Sequence, residues 1–595
     1  MYIPFTPRAL PALLISSLAL LVGSATQASA AVPDPERNAT TPTGWHWWYG
    51  LSAAQVEQRY TQDGDRITDV EVQGTSPLRF AVATVRNTGV YARGWYWYYG
   101  LTGTQLKAKI AEKNARLIDL ETYESGGQRR FAAVMVVNSK DAAKNWHWYY
   151  GVSRDTLAGH LDEHNSRLID LESYSSGGQT RYAAIMIRNS GVDKKGWWWW
   201  RNVPLSTVRN QAAANGARTF SLDRLSNGRY NALQVKRAGE FSAYEIDIDA
   251  RRVGDFVSQN GGRIVDFDSY VVGGQRRFTA IINDNVDGFS ARVRNEARKV
   301  AKLRDARWGA WVKQIGGPVS IGLGGDRVFE PASTMKTLHH LYLHTRLEAD
   351  PAEDLNAIVP FATCPATGGT GECASGKAVK DICPTRTGVT ATGTSTLDNA
   401  DRQMMGISDN RMTRAIEQRY GRAVLNLFAP SIGAMSTEIN HDLGCFGPTL
   451  NEITLADLSV MHEGATNGTI LKTAAVRDRF YSTMNGPGIS AGVKSVLVAE
   501  AAAAGKSAIV DAFVAAIENR GKGGSYGGGG RSVRAGFGRM LIPFKVGGVV
   551  QPRAFTYGHF YNCDDCSGNQ AVLDAYGKFA DEKWRSVFRQ ALATW

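Results

Sequence analysis

The stretch Phe329-Glu-Pro-Ala-Ser-Thr-Met-Lys336 sets Ser333 and Lys336 three residues apart at the head of a long helical pattern. Residues i and i+3 share a helix face, so the amine is expected to reach the hydroxyl. A Ser hydroxyl is a weak nucleophile at neutral pH, and an amine whose pKa is lowered by burial can activate it. A helix N-terminus also favours an ionised nucleophile and presents backbone N–H groups to an oxyanion. Downstream lies Ser408-Asp409-Asn410, a triplet that would also suit a helix N-cap. Two Lys-Gly elements follow, Lys522-Gly-Gly524-Ser525 and Lys545-Val-Gly547.

An SxxK followed by SDN and then a KTG-like element resembles the class A β-lactamases and penicillin-binding proteins. The resemblance implies an α+β serine hydrolase domain over residues 286–595, with Ser333 as nucleophile and Lys336 accepting its proton. Ser408 would relay protons, and Asn410 would orient substrate and Lys336. The third element is degenerate. In the resembling fold its strand is followed by two more strands and a final helix. Lys522 fits that order, with strands over 533–544 and 554–561 and a helix over 570–593, whereas Lys545 leaves only one strand. Lys522 would then lower the pKa of Lys336, and the backbone N–H groups of Ser333 and Ser525 would form the oxyanion hole. The class A ExxLN element, whose Glu activates the deacylating water, is not found over 437–454. Glu438 and His441 are the substitutes on offer there.

The first half of the chain is repetitive. Trp45-His-Trp-Trp-Tyr-Gly50 returns as Trp95-Tyr-Trp-Tyr-Tyr-Gly100, as Trp146-His-Trp-Tyr-Tyr-Gly151 and as Trp197-Trp-Trp-Trp200. The second copy continues with a helical pattern (Leu101, Leu106, Ile110, Asn114), then Arg116 to Tyr123, a Gly126-Gly127 turn and Arg130 to Asn138. A fifth copy keeps Arg263-Ile-Val-Asp266, Gly273-Gly274 and Arg277-Phe278 without the Trp opening. Copies starting near 45, 95, 146, 197 and 244 read as strand, helix, strand, turn, strand. One such unit cannot bury its own apolar face, so neighbours should stack over 45–285, as an open spiral or a closed ring. The aromatic openings should pack between repeats, with a carbohydrate or peptide platform as the functional alternative. The recurrent Arg and Asp should form inter-repeat ion pairs. Residues 289–306 read as the first helix of the second domain, followed by two strands around Gly316-Gly317.

Residues 1–30 have the layout of an export signal: Arg8, an apolar core from Leu13 to Val22, and Ala28-Ser29-Ala30 before a cleavage point. That apolar run is too short to span a bilayer. A linker over 31–44 would follow. The six Cys of an exported chain imply disulfides, and six allow 15 connectivities. Cys563-Asp-Asp-Cys566 has no second CxxC beside it and reads as a bridge rather than half a zinc site. His340 and His344 sit four apart on a helix without an evident third ligand, so no metal or cofactor is expected. A net charge of +12 suits an anionic cell-wall or glycan surface, or simple solvation. Nothing resembles a nucleic-acid-binding motif.

Secretion, Trp-rich repeats of about 50 residues and a class A-like SxxK domain together resemble the polyglycine hydrolases, secreted β-lactamase-like serine endoproteases of fungi. The resemblance implies cleavage of Gly-Gly bonds in a protein target such as a plant chitinase linker. The alternatives are a β-lactamase or D-alanyl-D-alanine peptidase, and a non-catalytic adhesin.

Overall fold

The computed structural model describes residues 41–595 apart from 140–141, 300–305, 384–390, 446, 485, 487, 529–530, 565 and 567–568. The expected export signal and residues 31–40 of the expected linker lie outside the described residues. The chain divides into two compact units. One runs to Val253 and takes in Gly262–Asn285; the other holds Gly254–Gly261 and Val286–Trp595.

In the first unit, the second copy shows the pattern of all five: strand Trp95–Leu101, helix Gly103–Lys113, and strands Ala115–Ser125 and Gln128–Val137. Each copy folds into its own three-stranded antiparallel sheet with the closing strand in the middle. Leu101 ends the opening strand rather than starting the helix, and Asn114 is the left-handed cap that stops the helix. Thr102 and Gln105 form a reciprocal capping box at the helix start. The Gly126-Gly127 hairpin needs φ of 61° and 69°, which a side chain would oppose.

The five copies close into a ring. The third residue of the opening packs edge-on against the closing strand of the copy before it in the second, third and fourth copies: Trp97 on Phe80, Trp148 on Phe131, Trp199 on Tyr182. Trp47 of the first copy does the same to Phe278 of the fifth. Such contacts contribute about 0.5–1.5 kcal/mol each beyond area burial. The expected inter-repeat role of the repeated Asp takes the form of a hydrogen bond, its carboxylate crossing the copy boundary to accept a backbone N–H. Asp119 takes Val70 N at 2.8 Å, Asp266 takes Leu222 N at 3.3 Å, and Asp69 takes Phe267 N at 3.0 Å. Arg66 and Arg116 donate Nε to the carbonyls of Tyr91 and Ala142.

Two residues beyond the repeated Asp, or at the matching place, stand Glu71, Glu121, Glu172, Asp223 and Asp268. Carboxylates from non-adjacent copies feel one another: Glu71 senses Glu172, Glu121 senses Asp268, and Glu172 senses Asp268. Only a position at the middle of the ring permits that. Burial first, and then this mutual repulsion, pushes Glu71, Glu121 and Glu172 well above the usual carboxylate range.

The second unit is built on a five-stranded antiparallel sheet ordered Val319–Leu323, Arg307–Gln314, Val549–Cys563, Arg531–Val546, Glu518–Gly528. Its expected first helix is Gly288–Ala297, shorter than the 289–306 pattern suggests; residues 300–305 of that pattern lie outside the described residues. One apolar core unites the Lys336–Ala349 helix with Met404, Met412, Leu458 and Phe480. A second joins the other helices to Trp308, Phe579 and Trp584. The expected single C-terminal helix is two, Gln570–Glu582 and Arg585–Ala593, with buried Trp584 at the break. Disulfides join Cys364 to Cys373, Cys383 to Cys445 and Cys563 to Cys566. Among the described residues, no helix is long and apolar enough to cross a membrane.

Candidate active site

Ser333 lies in a short 3-10 turn, Ala332–Met335, which runs directly into the helix Lys336–Ala349. The nucleophile thus sits in a 3-10 turn at the N-terminal end of the helix. Ala332, just before it, has φ of 48°, and Ser408 across the site has φ of 65°. Both are left-handed conformations that cost a non-glycine residue of order 1 kcal/mol, and such strain clusters at functional sites. The Glu330 carboxylate supports the first of these, accepting the Ala332 N–H at 3.3 Å.

Lys336 is fully buried, and its ammonium donates to Ser408 O at 2.7 Å, Ser408 Oγ at 3.1 Å and Asn410 Oδ1 at 2.7 Å. An ammonium has three N–H donors, and all three are used here, none on Ser333. The expected direct Lys336–Ser333 contact is therefore not made, and Lys336 is tied to Ser408 and Asn410 instead. Asp409 is the N-cap of the helix Asn410–Tyr420, accepting Arg411 N at 2.8 Å, so the Ser-Asp-Asn triplet caps a helix and lines the site at once. Gly444, at φ of 85°, lays bare backbone against the Asn410 amide where a Cβ would collide.

Lys522 stands on the strand Glu518–Gly528 at the sheet edge, donating to Ser408 Oγ at 3.0 Å and Gly523 O at 2.7 Å. Ser408 Oγ is thus held between two amines. Lys545 is elsewhere, its ammonium 4.3 Å from the Trp595 ring. Burial, and then the charge of Lys522, holds Lys336 well below the ordinary lysine range; burial and Lys380 bring Lys522 down to about 8. The edge strand comes so close that a Cβ on Gly524 would lie 2.5 Å from Ser333 N. Ser333, Ser408, Asn410, Gly523, Gly524 and Ser525 share the wall of one cavity of about 700 Å³.

Several wall residues were not singled out by their sequence context. Glu330 is buried, Lys377, Lys380 and Arg534 make the wall cationic, and Asp381 pairs with Lys380 at 3.6 Å. His441 is in the wall, whereas Glu438 is exposed in a bridge with Glu452 and does not line the cavity. The readable signal was Gly447-Pro-Thr-Leu450-Asn451, an ExxLN pattern that has lost only its Glu. His340 gains a third group nearby in Asp401, at 2.6 Å, but its other nitrogen is 2.9 Å from Phe480 O, so both ring nitrogens serve a buried network.

A family model described as "Beta-lactamase enzyme family" matches residues 292–516. One described as "Polyglycine hydrolase-like, structural repeat" matches 92–138 and 143–189. The chain carries a β-lactamase family domain together with polyglycine hydrolase-like structural repeats. This is a β-lactamase-like serine hydrolase fold, and Lys522 and Ser525 lie just past the matched segment. Among solved structures, PBP-A is 15% identical over 51% of this chain and 97% of its own, with a TM-score of 0.36. The β-lactamase from Sphaerobacter thermophilus DSM 20745 is 16% identical over 51% and 98%, with a TM-score of 0.34. TLA-3 extended-spectrum β-lactamase is 12% identical over 51% and 99%, with a TM-score of 0.36. Curated proteins gave no match.

Proposed function

We propose that this chain is a secreted serine endopeptidase that works through an acyl-enzyme and cuts Gly-Gly bonds in a glycine-rich segment of a protein. The observation that carries the reading is the edge strand beside Ser333. Gly521, Gly523, Gly524, Gly527 and Gly528 leave much of that edge as bare backbone. An extended peptide can add to such an edge as a further strand, held by main-chain hydrogen bonds. A polyglycine segment has nothing else to offer, and a bare edge admits it at the closest distance.

Ser333 Oγ attacks the substrate carbonyl. Its proton passes to Lys336 in the neutral form, by way of Ser408 Oγ, and then to the leaving amine. The backbone N–H groups of Ser333 and Ser525 face the developing oxyanion. Asn410 and Lys522 fix the two hydrogen-bond partners of this relay. The ring of repeats would dock the protein target, and the basic surface would favour an anionic cell-wall or glycan setting.

The cationic wall of Lys377, Lys380 and Arg534 favours a second reading, a β-lactamase or carboxypeptidase whose substrate carries a free carboxylate. Mass spectrometry of products from a polyglycine-linked protein, wild type against Ser333→Ala, tests the first. Identical products from both, or none, would sink it, while hydrolysis of a chromogenic cephalosporin would favour the second.

A further inference from the structure

We propose that His441 is the general base of the second half-reaction, taking the proton of the water that hydrolyses the acyl group on Ser333, beside the Glu330 carboxylate. This rests on the acyl-enzyme reading above. Hydrolysis of an ester on Ser333 needs a proton acceptor on the cavity wall. Lys336, reprotonated to return a proton to Ser333, is then an ammonium with all three N–H groups on Ser408 and Asn410, and Asp381 is paired with Lys380.

His441 lines the same cavity as Ser333. Its Nδ1 lies 3.0 Å from Asp442 O, a carbonyl that can only accept, so Nδ1 carries the hydrogen and Nε2 the lone pair. Nε2 lies 3.5 Å from Glu330 Oε2, long for a direct hydrogen bond, so a water beside the pair can contact both atoms. Glu330 cannot swing away, because its two oxygens accept Ala332 N at 3.3 Å and Asn451 N at 2.9 Å.

Two further observations mark the place. A Cβ on Gly447 would lie 2.6 Å from His441 Cβ and 3.0 Å from its Cγ, so the imidazole fills the space that a side chain at 447 would need. Fully buried Asn451 holds the His441 backbone N–H with Oδ1 at 2.9 Å, while its Nδ2 has no hydrogen-bond partner among the described residues. A buried amide N–H₂ left over beside a carboxylate and an imidazole is the donor a bound water lacks. Burial pulls the imidazole pKa down, but Glu330 and the Asp442 carbonyl outweigh it and leave it above the usual value. That suits an acceptor working near neutral pH.

The step balances. One O–H bond of the water breaks, and its proton goes to His441 Nε2 as the oxygen bonds the acyl carbon. The carbon–Oγ bond breaks, and Ser333 Oγ takes a proton through Ser408 from Lys336, which had taken that proton up from solvent after the amine left. His441 loses its proton to solvent, and Lys336 is again the neutral amine that begins acylation.

The test uses the full chain with acetyl-triglycine p-nitrophenyl ester. His441→Asn is expected to keep a stoichiometric burst of p-nitrophenolate, followed by a steady rate slower by about a hundredfold. Intact-protein mass should then show the acetyl-triglycyl adduct persisting on Ser333. Glu330→Gln should keep the burst and slow the steady phase less. A His441→Asn steady rate equal to wild type overturns the proposal. Loss of the burst along with turnover also overturns it, since His441 would then support the site rather than act on water. Should Ser333→Ala turn over like wild type, the acyl-enzyme reading itself fails, and His441 falls with it.

Discussion

Replacing Lys522 by Met should move the acid limb of acylation to higher pH. Lys336 and Lys522 donate to the same Ser408 Oγ, at 3.1 and 3.0 Å, so their nitrogens are at most about 6 Å apart. At an effective dielectric constant of about 20, two unit charges at that distance repel by roughly 3 kcal/mol, or about two pKa units. This repulsion adds to the larger effect of burial in holding Lys336 down. Lys522 itself titrates at about 8, so below that pH it is charged and its push is felt. Without it the Lys336 pKa rises, and the neutral amine that accepts the Ser333 proton appears only at higher pH. The midpoint should move up by about one to two units, while Lys522→Arg, which keeps the charge, should move it little. Burst rates with an activated glycyl ester, from about pH 5 to about pH 10, read the position of the limb separately from its height. A limb that stays in place or moves to lower pH would refute the coupling.

Three other outcomes follow from the geometry. Gly524→Val puts a Cβ 2.5 Å from Ser333 N, and should cut acylation by about a hundredfold or more with little change in melting temperature. In the ring, Glu121 has a folded-state pKa above its unfolded value, so the folded form binds the extra proton and stability falls as pH rises past the usual carboxylate range. Glu121→Gln should therefore raise the melting temperature by about 2–4 °C near pH 8 and do nothing near pH 4, as scanning calorimetry will show. The hydrolase unit runs the other way: buried His344 and His462 are pushed down to about 3, so the unfolded chain takes up their protons first. Each should cost about 1.5 kcal/mol between about pH 6.5 and about pH 5, read as a falling urea midpoint, with His462→Gln flattening the slope.

How much of this was legible depended on how far along the chain each relation reaches. Ser333 and Lys336, or Ser408 and Asn410, are neighbours in sequence, so each pair could be read from its own spacing. The 50-residue beat of Trp-rich openings likewise announced the repeats. Ring closure did not show, because it rests on Trp47 meeting Phe278 and Asp69 meeting Phe267, contacts that no local pattern encodes. Choosing Lys522 over Lys545 needed strand order rather than motif chemistry. Glu330 looks like an ordinary residue before Pro331, and only the fold brings it to His441. The 3-10 turn that carries Ser333, with Ala332 at φ of 48° ahead of it, is a backbone detail that propensity does not report.

Closure has one more consequence. Thr43 N donates to Asn285 Oδ1 at 3.1 Å, and Asn285 Nδ2 returns a bond to Thr43 O at 2.9 Å. The chain therefore enters and leaves the ring at one point, and no copy is terminal. An open array can shed or gain an end copy; here losing one would leave two faces unmatched, so the number of copies is fixed as a whole. The same seam makes the order of copies a matter of bookkeeping. A permuted ring joined across 43 and 285 and reopened at Gly126-Gly127 should keep every contact between neighbours, which makes this unit a natural candidate for circular permutation.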